Sequence, residues 1–96
     1  MTSMTEHAAD ALPGAELIEQ GIADLVRGID SIPALLVSIG APRLTRSGVA
    51  VPNPRPDAER HLYELLRQED PDAAHSRYNA LIRRLVSFER AAECGS

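Results

Sequence analysis

The chain contains no tryptophan and a single phenylalanine, and with two tyrosines its aromatic content is only 3%. Any core must therefore be aliphatic, built from Leu, Ile, Val and Ala. There is one cysteine, Cys94, which excludes a disulfide framework and a cysteine-rich zinc site. Lysine is missing: all 10 basic residues are arginine. Together with abundant alanine, this reads first as the codon signature of a GC-rich genome. A choice of planar, bidentate side chains is the second reading. No segment approaches the roughly 18 uninterrupted apolar residues of a membrane span, so no membrane association is expected. The opening MTSMTEHAAD has neither the basic nor the apolar region of a signal peptide. A cytoplasmic location is the default expectation.

What remains is a chain of 96 residues, 44% hydrophobic and 25% charged, with a formal net charge of −4. That is room for one domain, and it is too apolar for a disordered chain. The charge alternates along the sequence. Residues 1–30 and 57–72 are acidic, whereas residues 31–56 and 73–96 are basic. Either these segments neutralise one another in the fold, or an acidic protein carries a local basic patch.

Periodicity predicts an all-α bundle of three to four helices. Residues 1–12 show no period and read as a flexible tail, leaving 13–94 as a single helical domain. After Pro13-Gly14, Ile18, Ile22, Leu25 and Ile29 share one helical face, with Gly28 as the stop. Asp30 or Ser31 caps a second helix whose face is Ile32, Leu35, Leu36 and Ile39, and Gly40-Ala41-Pro42 should interrupt it. The proline-rich connection 48–56, GVAVPNPRP, should be extended and cannot be a central strand. It reads as a linker, or secondarily as a stiff contact segment. Asp57 should cap a third helix burying Leu62, Leu65 and Leu66, with Arg60 and Glu64 paired one turn apart.

The strongest local signal is Asp70-Pro71-Asp72, a cap, a first-turn proline and an acid, which predicts a long C-terminal helix over about 71–93. Ala74, Tyr78, Leu81, Leu85, Phe88 and Ala92 form a heptad stripe along it, flanked by Ile82 and Val86. At 1.5 Å per residue this helix outreaches any single neighbour. Two short helices must share the stripe, with this rod as the spine of the bundle, or a second copy must cover part of it. A homodimer is thus one expectation.

Catalytic and metal signatures are sparse. His7, His61 and His75 lack the spacing of a helical zinc site, and no nucleophile elbow, P-loop or dinucleotide fingerprint occurs. No cofactor and no metal are expected. Arg55 and His61 form a weak pair reminiscent of helical ribonuclease domains, and His75, Arg77 and Tyr78 make a second polar cluster. Two basic rails, Arg77 with Arg84 and Arg83 with Arg90, flank the apolar stripe and could meet phosphates, although the net charge opposes a dedicated DNA-binding role. The expectation is a small regulatory or interaction protein, adaptor- or antitoxin-like, acting by helix-face contact with itself or a protein partner. Its candidate contacts are Arg77, Ile82, Arg83, Arg84, Val86 and Arg90. A nucleic-acid-binding regulator and a ribonuclease-like enzyme are the alternatives.

Overall fold

The computed structural model describes residues 14–95. The expected tail, His7 included, lies outside them. Four helices pack together: α1 (Ala15–Val26), α2 (Ile32–Arg46), α3 (Ala58–Glu69) and α4 (Ala74–Gly95). There is no strand among the described residues, and the all-α bundle with a long last helix is as expected.

The helix ends follow local chemistry. Ser31 is the cap of α2, its hydroxyl accepting from the Ala34 amide at 3.1 Å. Gly28 ends α1 in the left-handed region (φ +76°), its amide donating to the Leu25 carbonyl while Ile29 donates to that of Asp24. That is a Schellman closure. Gly48 repeats it after α2, with Gly48 donating to Thr45 and Val49 to Leu44. Three expectations are corrected here. Asp57 occupies the cap position of α3 in a left-handed conformation and makes no side-chain capping bond. Its carboxylate instead lies 3.9 Å from Arg60, which therefore does not pair with Glu64. Asp70 accepts from the Asp72 amide and closes a turn over 71–73, so α4 begins at Ala74 rather than at Pro71.

The largest correction concerns the spine, which is α2. It packs against all three other helices, whereas α4 packs mainly on α2 and α3. Ala34, Leu35, Leu36 and Val37 are successive and all fully buried. Four successive positions of a helix sweep most of its circumference, so α2 is enclosed on every side along this turn, while its last turns expose Pro42, Arg43, Thr45 and Arg46. Pro42 does not interrupt it. The helix runs on to Arg46 and buries Leu44 completely. An interior proline costs about 3 kcal/mol, and burying a leucine returns about 1.5–3 kcal/mol, so packing of Leu44 offsets much of that cost.

Two glycines set how close the neighbours come. A Cβ on Gly21 of α1 would collide with the Pro33 carbonyl oxygen and lie 2.5 Å from Val37 Cγ2. A Cβ on Gly40 of α2 would lie 2.7 Å from Glu89 Oε2 and 2.8 Å from Leu85 Cδ1 of α4.

The long stripe is shared within the chain. With 22 residues α4 is about 33 Å long, against about 18 Å for the 12 residues of α3. The first half of α4 meets α3, where Tyr78 and Tyr63 stack edge to face at 5.7 Å. The second half meets α2, where Leu85 is buried beside Gly40, and Phe88 is buried near Gly14 at the start of α1, while Leu81 is half-buried. The length mismatch therefore supplies no argument for a second copy.

The connection 47–57 is stitched down rather than loose. Val49 and Val51 pack on the core. The Arg55 amide donates to Ser38 Oγ of α2 at 2.9 Å, and its guanidinium Nε lies 2.8 Å from Asp30 Oδ1 at the α1–α2 turn.

The close approach at Gly21 is testable. Gly21→Ala should destabilise the fold by about 1–3 kcal/mol, because a backbone carbonyl cannot move aside as a side chain can. Urea denaturation should show a lowered midpoint, and an unchanged midpoint would mean that α1 and α2 do not cross there as described.

Candidate functional site

The inward stripe of α4 determines what its outer face carries. Ser76, Asn79, Arg83, Ser87, Arg90 and Cys94 follow steps of three and four on the opposite side, and all six are exposed. Ile82 and Val86 stand half-buried on one shoulder of this face. From Ala73 to Phe88 the chain contains no acidic residue, so the helix offers Arg83 and Arg84 no carboxylate of its own within a turn.

The arginines have different fates. Arg77 Nη1 binds Glu69 Oε1 at 2.7 Å, joining the end of α3 to the start of α4. Arg43 of α2 reaches Glu93 at 3.2 Å and Glu89 at 3.5 Å on α4. Arg55 holds Asp30. Arg83, Arg84 and Arg90 make no ion pair among the described residues. Arg27, Arg46 and Arg67 are likewise exposed and unpaired, but each stands on a different element. Only on α4 do three free guanidinium groups fall within eight positions. The candidate rail of Arg77 with Arg84 thus loses Arg77 to Glu69, and the rail of Arg83 with Arg90 remains open.

Between Arg83 and Arg84 lies an open groove of about 440 Å³, lined by these two arginines, Ala80, Ser87 and Gly14. Helical spacing explains it. Ala80 and Ser87 each lie three or four positions from both arginines, so two small side chains make the floor and two long ones make the banks. The start of α1 closes the third side, where a Cβ on Gly14 would sit 3.0 Å from the Arg84 carbonyl oxygen. Sequence reasoning named the banks but missed Ala80, Ser87 and Gly14. The available signal was small residues three and four positions either side of an adjacent arginine pair.

Sequence reasoning also missed Glu89, which is 3% exposed at the α2–α4 crossing. Its carboxylate fills the space left by the absent side chain of Gly40. Burial raises its pKa above the ordinary carboxylate value, Arg43 opposes that shift, and Glu93 adds to it.

No hydrogen bond or ion pair joins the residues of the enzymatic alternative to one another. Arg55 is committed through its side chain to Asp30 and through its amide to Ser38. His61 is half-buried in the first turn of α3, with its amide bonded to the Asp57 carbonyl. His75 lies 3.2 Å from Asn79, Arg77 faces Glu69, and Tyr78 stacks on Tyr63, so that trio disperses to three partners. Burial, and after it the nearby charge of Glu59, raise the pKa of the Tyr78 phenol above its ordinary value. Among the described residues no three His, Cys, Asp or Glu side chains are grouped to hold a metal ion. No protein-family model matches the chain, and no curated protein or solved structure shows significant similarity to it.

The buried carboxyl gives a pH prediction. Because the folded state raises the pKa of Glu89, folding favours its protonated form. Stability from this group is greatest below the ordinary glutamate pKa and falls as pH rises through the raised value. Glu89→Gln should remove that component. Urea midpoints of the two proteins compared between pH 4 and 7 should shift in favour of the variant as pH rises. A shift toward the wild type would show that attraction to Arg43 outweighs burial.

Proposed function

We propose that this chain is a small helical interaction protein that engages a protein partner through the outer face of α4. Arg83, Arg84 and Arg90 are its contact cations, with Ile82 and Val86 as an apolar shoulder. The observation that carries this reading is the concentration of unpaired arginines on one side of α4, beside a groove with a floor of small residues. Arg83 and Arg90 stand two turns apart on this side with Arg84 next to Arg83, and an acidic partner would supply the counter-charge that the chain does not. Such a role is of the adaptor or antitoxin type and suits a cytoplasmic protein. No helix among the described residues is long and apolar enough to cross a membrane, which is compatible with it. A partner protein is favoured over a second copy, because Leu85 and Phe88 of the apolar stripe are already covered within one chain. The nucleic-acid reading draws on the same cations, but it loses Arg77 to Glu69 and meets a molecule of net charge −4.

Site-specific photocrosslinking in the cell of origin tests the proposal. A photoreactive residue at Ser87 should yield discrete protein adducts that one at Glu64, on α3, does not. Arg83→Glu, Arg84→Glu and Arg90→Glu combined should abolish them while leaving the helical circular dichroism intact. Nuclease-sensitive adducts at Ser87 would replace this reading with the nucleic-acid one. No adduct above the Glu64 background would end it.

A further inference from the structure

We propose that the groove between Arg83 and Arg84 takes a short acidic peptide segment of the partner, one chain wide, with carboxylates gripped from both banks. This rests on the interaction reading above and specifies its partner chemistry.

Three features select this occupant. The first is charge. Arg83 and Arg84 are unpaired and exposed, and a guanidinium fork binds a carboxylate bidentately in a charge-assisted pair. The second is shape. Ala80 and Ser87 lie seven residues apart, about 10 Å along the helix, and their small side chains leave a floor on which a backbone can lie. The groove is open to solvent, and its volume of about 440 Å³ leaves room for a few peptide residues laid along it. The third is what surrounds the groove. Gly14 forms its far wall, and Glu16 and Glu19 stand exposed on the turns of α1 that follow. A polyanion that continues past the groove on that side meets acidic residues. A short peptide stops before them or turns a neutral side chain toward them. Local attraction with a repulsive border favours a confined run of carboxylates over a continuous phosphate backbone.

Arg90 shares the outer face without lining the groove, which separates general attraction from binding in the groove. The experiment is fluorescence anisotropy of the purified protein with a labelled peptide of alternating Glu and Ala. Its Gln-for-Glu counterpart and a single-stranded DNA of the same formal charge are measured in parallel. The Glu peptide should bind and the Gln peptide should not. Arg83→Glu and Arg84→Glu should each weaken binding about tenfold or more, the scale of one charge-assisted bond, and Arg90→Glu less than about threefold. Ser87→Trp, which fills the floor without changing charge, should weaken binding as much as either bank. Thermal melts verify that each variant folds.

The proposal is overturned if the Gln peptide binds as well, if the DNA binds more tightly than the Glu peptide, or if Ser87→Trp is silent. Absence of Glu-peptide binding also overturns it. If Ser87 nevertheless crosslinks to protein, only the acidic specificity falls and the interaction reading stands. If crosslinking fails as well, both fall together.

Discussion

The whole architecture depends on enclosing α2. A helix turn buried all round, as at Ala34, Leu35, Leu36 and Val37, must have neighbours close to its axis on several sides at once, and the chain achieves this by omitting a side chain at two crossings. Gly21 lets α1 lie against Pro33 and Val37, and Gly40 lets α4 bring Leu85 and Glu89 to α2. With almost no aromatic residues to fill wide spaces, an aliphatic core of Leu, Ile, Val and Ala is dense only if the helices come close. The glycines and the shortage of aromatics are therefore two sides of one packing solution.

Polar groups are then arranged along the seams of that solution. Asp24 is buried beside the start of α2, where it accepts from Gln20 and from the Ser31 hydroxyl that caps the helix. Ser38 is buried too, its hydroxyl donating to the Ala34 carbonyl while accepting the Arg55 amide, so one side chain secures the proline-rich crossing to the hub. Asp30 with Arg55, Glu69 with Arg77, and Arg43 with Glu89 and Glu93 each join two elements. Pairs exposed on both sides, such as Glu69 with Arg77, add little stability individually. They do fix which arginines are occupied at seams, and so which are left over. Three of the six arginines left over stand together on α4.

The sequence made the order and approximate places of the helices legible because those signals are local. Gly28, Ser31 and Gly48 act through bonds to residues within a turn or two, and the long heptad stripe identified α4. The hub was harder to see. Reading only Ile32, Leu35, Leu36 and Ile39 as an amphipathic face missed that Ala34 and Val37 are buried as well. The better signal was the absence of any charge between Ser31 and Pro42, since a helix with no charged face has no side to give to water. Pro42 misled because its local cost was weighed without the burial of Leu44 beyond it. For the site, Arg83, Arg84 and Arg90 were legible as exposed cations, but the pairing of Arg77 was not, because Glu69 belongs to a different helix. The groove wall at Gly14 was equally hidden, since it brings together residues about seventy positions apart.

An acidic protein with a basic groove raises the question of which charge a partner senses. At physiological ionic strength a charge is screened over about 8 Å, and the molecule extends 42 by 25 by 25 Å. A partner approaching α4 therefore responds to the arginines in front of it, while the carboxylates on distant faces are largely screened. The net charge of −4 acts instead on ligands large enough to reach several faces at once. A long polyanion samples both signs and gains little, whereas a short acidic segment samples only the groove. Distributing acids over α1 and α3 while leaving α4 basic thus selects by ligand extent as well as ligand sign, and the selection comes from where the charges lie rather than from how many there are.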